Sequence, residues 1–181
     1  MLANTPERYG VLSRALHWLS ALIVLALFGV GLVMTELDKQ DPLRQQLFFY
    51  HMSTGVLLFL LTVVRVIWLK VSPPPPLPGG LAGWERMLTL VVKSLMYLLL
   101  LGIPVAGYLI AATAGKPVPF YGLFEIPPLV GESEALHEVF EELHEILAWS
   151  LILLALLHIA GALKHRWFDM NEEVDVLRRM T

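Results

Sequence analysis

The chain has 181 residues, of which 56% are hydrophobic and only 16% are charged. A soluble domain carries about 25% charged residues, and a chain of this length cannot bury so large an apolar fraction in its own core. The composition therefore excludes a soluble enzyme, a nucleic-acid-binding protein and a disordered chain. The net charge of −3 excludes no class of partner.

Four runs without any charged residue mark the predicted helices. They hold 20, 18, 22 and 18 residues and cover residues 15–34, 47–64, 94–115 and 146–163. A helix needs about 20 apolar residues to cross the hydrocarbon layer of a membrane. The sequence therefore predicts an all-α integral membrane four-helix bundle, a single domain over residues 1–181, with helices at about 11–34, 43–71, 84–113 and 134–168.

The basic residues predict the orientation of the bundle. If the amino terminus is cytoplasmic, ten of the 13 Lys and Arg residues lie on the inner side, and Lys39, Arg44 and Lys116 lie on the outer side. This excess follows the positive-inside rule, so both termini are expected in the cytoplasm. The first run has no small-residue cleavage site at its end and is interpreted as a retained helix. The sequence contains no cysteine, which excludes iron–sulfur clusters and covalently attached haem.

The segments between the helices carry their own signals. Residues 73–78 are proline-rich and predict a stiff spacer on the inner side. Pro104 lies inside the third predicted helix, where it removes a backbone donor. The outer loop at 115–132 combines prolines with aromatic residues and predicts a lid in the membrane interface. Ser133 is the predicted N-cap of the fourth helix.

Four of the six histidines lie within or beside the apolar runs: His17, His51, His144 and His158. Polar groups in a spanning helix are costly and are expected to have partners in the bundle interior. His17 lies near the inner edge of the first run, and His51 lies near the outer edge of the second. His144 and His158 are fourteen residues apart, about 21 Å and nearly four helical turns, so they face one side at two depths.

Depth matches these histidines in two pairs, His51 with His144 on the outer side and His17 with His158 on the inner side. Two such pairs in an apolar four-helix bundle are what two b-type haems require, because each imidazole supplies one axial nitrogen. Depth alone also leaves open a pairing of His17 with His165, although that haem would lie half in water. We predict two non-covalent haem b groups whose iron ligands are His17, His51, His144 and His158.

Small and basic residues near these histidines suit the same cofactor. Gly55 lies one turn past the histidine of its helix, and Gly161 lies three residues past the last paired histidine. Both would give a flat porphyrin clearance, although glycine also serves direct helix packing. Arg14 and Arg65 are candidate partners of the haem propionates, since a guanidinium donates two parallel hydrogen bonds to a carboxylate.

The order and spacing of these residues resemble the prokaryotic cytochrome b561 family over about residues 8–180. The motifs that carry the resemblance are Ser13-Arg14-Ala15-Leu16-His17-Trp18, His51-Met52-Ser53-Thr54-Gly55, Val64-Arg65 and His144-Glu145 with His158 and His165. The resemblance implies a small di-haem cytochrome of the bacterial inner membrane with haem ligands at His17, His51, His144 and His158. It also implies electron transfer with a donor that differs among members, and one member of the family is understood to oxidise superoxide at the periplasmic face and pass electrons to ubiquinone.

Two further histidines lie outside the predicted pairs. His165 is a candidate quinone-site residue at the inner surface, because a histidine with a pKa near ~6.5 can relay a proton there. An ordinary interfacial histidine fits that position equally well. His137 shares a helix face with Glu138 and Glu141, which would suit a metal ion, but an exposed acidic first turn is the favoured interpretation.

Taken with the resemblance, these features predict electron transfer between an outer-face donor and the quinone pool, and superoxide:ubiquinone oxidoreductase is the specific activity implied. Seven glutamates against Lys116 alone in residues 113–145 disfavour an anionic donor, so a cationic or protein donor and a quinol stay open. Two other classes also stay open. One is the cytochrome b subunit of a larger dehydrogenase or hydrogenase, and the other is a haem-free transporter lined by histidines.

Overall fold

Four long helices form the body of the protein, which is known from a computed structural model that describes residues 1–168 and 175–180. They are α1 (Val11–Glu36), α2 (Pro42–Val71), α3 (Gly83–Thr113) and α4 (Glu134–Trp167). Each is long and apolar enough to cross a membrane, which confirms the predicted all-α membrane fold. Large apolar side chains are exposed along all four helices, as expected for surfaces that face lipid tails.

Short polar residues set the starts of two helices. The Asp41 carboxylate accepts a hydrogen bond from the backbone N–H of Leu43 at 2.8 Å, and Pro42 occupies the first turn of α2. The Ser133 hydroxyl accepts one from the backbone N–H of Leu136 at 3.3 Å, which confirms the predicted cap of α4. Caps of this kind contribute about 1 kcal/mol each because they satisfy backbone donors that have no partner in the first turn.

The outer loop folds into a small hairpin that the sequence does not predict. Strands β1 (Val118–Phe120) and β2 (Phe124–Ile126) pair antiparallel, and Tyr121 and Gly122 have positive φ angles of 50° and 74° in the turn. The buried Ser53 hydroxyl of α2 donates to the Pro119 carbonyl and accepts from the Tyr121 N–H, both at 3.0 Å. These bonds hold the hairpin against the outer part of α2.

Three layers, each with one residue from every helix, cross the bundle interior. The inner layer is His17, Arg65, Lys93 and His158; the middle layer is Val24, Leu58, Leu100 and Leu151; the outer layer is Gly31, His51, Gly107 and His144. Within every helix these positions are seven residues apart, which is close to two turns and about 10.5 Å. The inner and outer layers are therefore separated by an apolar core.

Hydrogen bonds tie the chain ends together on the inner side. The Asn4 backbone N–H donates to the Ser72 hydroxyl at 2.8 Å, and its side-chain amide donates to the Ser72 carbonyl at 2.7 Å. The Arg179 guanidinium donates to the Pro76 carbonyl at 2.9 Å. Burial raises the pKa of the nearby Tyr9 phenol. The proline-rich spacer is thereby fixed to both ends of the chain.

Candidate functional site

Four histidines meet in two pairs at different depths of the bundle. The ring centroids of His51 and His144 are 6.2 Å apart, and those of His17 and His158 are 6.3 Å apart. All four side chains are half-buried. The structure therefore brings these residues together in the pairs that depth predicts, and His17 faces His158 rather than His165.

The spacing within each pair suits one metal ion held between two imidazoles. A bond from imidazole nitrogen to a metal ion is about 2.0–2.1 Å long and the nitrogen lies about 1.1 Å from its ring centroid, so the two centroids would be roughly 6.3 Å apart. Among the described residues, no group of three or more His, Cys, Asp or Glu side chains could hold a metal ion. A porphyrin would supply the remaining ligands with its four nitrogens.

A backbone hydrogen bond orients the outer histidine of α4. The Nδ1 atom of His144 lies 3.0 Å from the carbonyl oxygen of Ile103. Because a carbonyl can only accept, Nδ1 carries the proton and Nε2 keeps its lone pair for a metal. Gly107, one turn after Ile103, makes this approach possible, since a Cβ there would lie 3.2–3.3 Å from the His144 ring.

The outer histidine of α2 has a similar setting on α1. A Cβ on Gly31 would lie 3.6 Å from the His51 ring, and the ring interacts with the carbonyl of Leu27, one turn before that glycine. The buried Nδ1 of His51 has no hydrogen bond of regular geometry to any described residue. A glycine and the carbonyl one turn before it thus face each histidine of the outer pair.

Two cations lie beside the inner pair. The Arg65 Nη2 atom is 3.4 Å from Nδ1 of His17, and its guanidinium lies over the Tyr97 ring at 5.3 Å. The Lys93 ammonium interacts electrostatically with both His17 and His158. Arg65 is therefore close enough to serve a cofactor held at the inner pair.

Three important neighbours of the pairs are absent from the sequence predictions: Gly31, Gly107 and Lys93. The signal that could have found them is the seven-residue spacing in α1 and α3. Lys93 and Gly107 lie seven residues before and after the buried Leu100, and Gly31 lies fourteen residues after His17. These contacts are made between helices, so the residues near each histidine on its own helix do not reveal them.

The other predicted residues are Gly55, Gly161 and Arg14. A Cβ built on Gly55 or Gly161 would meet no atom within 4 Å, so helix packing gives no reason for glycine at either position. Arg14 lines a cavity of about 190 Å³ at the inner surface, together with Arg8 and Arg179. Arg65, the second predicted arginine, lies 3.4 Å from the His17 ring.

The two remaining histidines contact different groups. His165 is buried and lies near Glu85, whose carboxylate accepts a hydrogen bond from the Lys164 ammonium. The Nδ1 atom of His137 lies 3.0 Å from the carbonyl oxygen of Ile110. Seven residues later on α4, His144 contacts Ile103, which lies seven residues earlier on α3 than Ile110. The two contacts therefore follow the antiparallel packing of α4 on α3.

Comparison with known proteins gives the family of the chain. The prokaryotic cytochrome b561 family matches residues 8–181. The chain belongs to the prokaryotic cytochrome b561 family. It is 41% identical over 180 residues to Cytochrome b561 homolog 2 of Escherichia coli (strain K12), and the alignment covers 98% of this chain and 93% of that protein.

Membership of the cytochrome b561 family, together with the four apolar helices, defines the class of the protein. It is a multi-pass electron-transfer protein of the bacterial inner membrane, and the family binds haem b. The haem-free transporter considered from the sequence does not fit this family.

Proposed function

We propose that this cytochrome b561 family member holds two haem b groups and carries electrons between an outer-face donor and the quinone pool. His51 and His144 would hold the outer haem, and His17 and His158 the inner one. The observation that carries the proposal is the nearly equal ring separation, 6.2 and 6.3 Å, in two pairs at two depths. Bound haem supplies reversible one-electron chemistry, while the chain fixes its place and keeps water away.

The middle layer supports this role because it separates the two sites with apolar side chains. Leu58, Leu100 and Leu151 are each at most 6% exposed. Fourteen residues along each helix separate the inner layer from the outer one, about 21 Å in rise. The layer keeps the two sites apart and excludes water between them.

His165 is the proposed contact for ubiquinone on the inner side. It is buried and has the Glu85 carboxylate nearby. An imidazole there can donate a hydrogen bond to a quinone carbonyl and pass on a proton from the cytoplasm. Reduction of one quinone to quinol takes two electrons, delivered one at a time by the haems, and two protons from cytoplasmic water.

Replacement of His165 tests this end of the pathway. We expect His165→Ala to keep both haems and to slow their reoxidation by a ubiquinone analogue about 10²-fold, the lower range for a positioned proton donor. Stopped-flow absorbance of the pre-reduced protein measures the rate. His137→Ala is the matched control, because it removes the other histidine outside the pairs, at the outer end of α4. An unchanged rate in His165→Ala would refute the quinone role.

The outer surface favours a second candidate function, that of a cytochrome b subunit that receives electrons from a partner protein. All seven glutamates between residues 113 and 145 are exposed, at positions 125, 132, 134, 138, 141, 142 and 145. A negative surface steers cationic or basic protein donors toward the outer pair and repels anions such as superoxide. Superoxide remains the donor that the family resemblance suggests. Neutralising glutamates on this surface should speed haem reduction by superoxide and slow haem reduction by a basic protein donor.

A further inference from the structure

We propose that Arg65 and Lys93 raise the reduction potential of the inner haem above that of the outer haem. The inference rests on the proposed two-haem function and adds a direction to it. Electrons would then move favourably from the outer site to the inner site.

The layered architecture makes the comparison direct, because each layer has two positions that histidine does not occupy. In the outer layer those positions hold Gly31 and Gly107. In the inner layer the two positions without histidine hold Arg65 of α2 and Lys93 of α3. The two sites therefore share a similar pair of ligands and differ by two positive charges.

The two cations act from inside the bundle. Arg65 and Lys93 are half-buried, and Arg65 lies 3.4 Å from the His17 ring. Within the described part of the chain, neither forms an ion pair with a carboxylate. Both also interact electrostatically with His158. The electrostatic interaction between charges a few ångströms apart is strong in a protein interior, because the effective dielectric constant there is low.

The outer pair has a different electrostatic setting. Its neighbours are the carbonyls of Ile103 and Leu27, which carry no net charge. The outer side also carries Lys39, Arg44 and Lys116, but the seven glutamates of residues 113–145 outnumber them. Those glutamates are exposed to water, which screens them. Their residual field, being negative, would lower the potential of the outer haem and add to the difference.

Reduction of a b-type haem adds one electron to ferric iron, and no bond forms or breaks. The net charge of the site falls by one, so neighbouring positive charges stabilise the reduced form. If a propionate of the haem pairs with Arg65, Lys93 still leaves a second positive charge at the inner site. The electron comes from the outer-face donor and leaves with the quinone.

Redox titration of single-haem variants tests the inference. Under the proposed pairing, His144→Ala retains the inner haem and His158→Ala retains the outer haem. We expect the retained haem of His144→Ala to have the higher midpoint potential. Adding Lys93→Met should lower the ratio of ferrous to ferric inner haem about tenfold at a fixed potential, which is 59 mV for one electron. The same substitution should leave the midpoint potential of the outer haem in His158→Ala unchanged.

Three further variants separate charge from structure. Lys93→Arg keeps the charge and should keep the potential, and Lys93→Gln should match Lys93→Met. Lys70→Met removes an exposed lysine from the inner end of α2 and should leave both potentials unchanged. Loss of the inner haem from both neutral variants would overturn the inference, because Lys93 would then act in haem retention.

The outcomes also distinguish this inference from the proposed function. Three outcomes would overturn the charge effect alone. The midpoint potential of the inner haem could stay unchanged in Lys93→Met, the potentials of both haems could shift equally, or the inner haem could have the lower potential. Retention of two haems by His144→Ala or His158→Ala would instead refute the proposed ligation, and with it the basis of the comparison.

Discussion

A glycine opposite each outer histidine has a specific physical role. At Gly107, the missing Cβ lets the His144 ring approach α3 closely enough to reach the Ile103 carbonyl at 3.0 Å. That bond fixes both the ring orientation and the position of its proton, which would leave Nε2 free to bind the iron of the proposed outer haem. Close approach of a ring to a helix backbone is thus part of the site.

Gly107→Ala tests this role. The added Cβ would lie 3.2–3.3 Å from the ring, so His144 must shift and its hydrogen bond must weaken. We expect haem affinity at the outer site to fall about 10–100-fold, the usual cost of losing an outer-shell partner. Haem transfer to an excess of a haem-binding acceptor protein, followed by absorbance, measures it.

Gly102→Ala is the control, because a Cβ there would be 4.0 Å from the nearest atom, a Leu147 methyl group. Equal haem retention by the Gly102 and Gly107 variants would contradict the clearance role of Gly107.

The residue scale also shows how far sequence reasoning reaches. His17, His51, His144 and His158 could be paired because helical rise converts sequence position into depth. Gly31 could not be found in this way, since its contact with His51 joins two helices whose relative rotation is not readable from either helix alone. The relation to Lys93 was missed for the same reason.

At the scale of the element, a seven-residue repeat explains how α4 serves both sites. His137, His144, Leu151, His158 and His165 are all seven residues apart on this helix. Because seven residues are nearly two turns, all five point toward the bundle interior. A single helix face can therefore supply one ligand to each proposed haem and a leucine to the core between them.

Hydropathy predicts the four helices well and predicts the hairpin poorly. Long apolar runs dominate α1 to α4, and a single apolar run that crosses a membrane satisfies its own backbone hydrogen bonds only as a helix. The strands β1 and β2 have three residues each, too few for an alternating pattern to emerge. Their position depends on the tertiary hydrogen bonds of Ser53, which the sequence does not reveal.

The acidic first turns of α4 allow a test of the electron donor at this scale. We expect superoxide, mixed with the oxidised protein and quinone, to reduce the haems promptly. Glu141→Gln with Glu142→Gln should accelerate that reduction, because removing negative charge lowers the repulsion of an anion. Stopped-flow absorbance of the haems measures the rate, and Glu7→Gln, at an exposed glutamate on the inner side, is the control.

No haem reduction by superoxide would contradict that donor and favour the cytochrome b subunit. A basic protein donor should respond in the opposite direction, with slower reduction after the same two substitutions.

At the scale of the whole molecule, the chain is a bundle with a neutral histidine site near its acidic end and a cationic one near its basic end. Positive residues are concentrated on the inner side by the rules of membrane insertion. Arg65 and Lys93 extend that asymmetry into the interior beside His17. In the proposed direction, electrons thus move from the acidic outer end of the bundle toward its basic inner end.

The most direct test of the central claim is the haem content of four single variants, measured as the pyridine haemochrome per chain. The account predicts two haems in the unaltered protein and one in each of His17→Ala, His51→Ala, His144→Ala and His158→Ala. Reduced-minus-oxidised spectra should show the same haem lost from the His51 and His144 variants, and the other haem lost from the His17 and His158 variants. Loss of different haems from His51→Ala and His144→Ala, or a single haem in the unaltered protein, would contradict it.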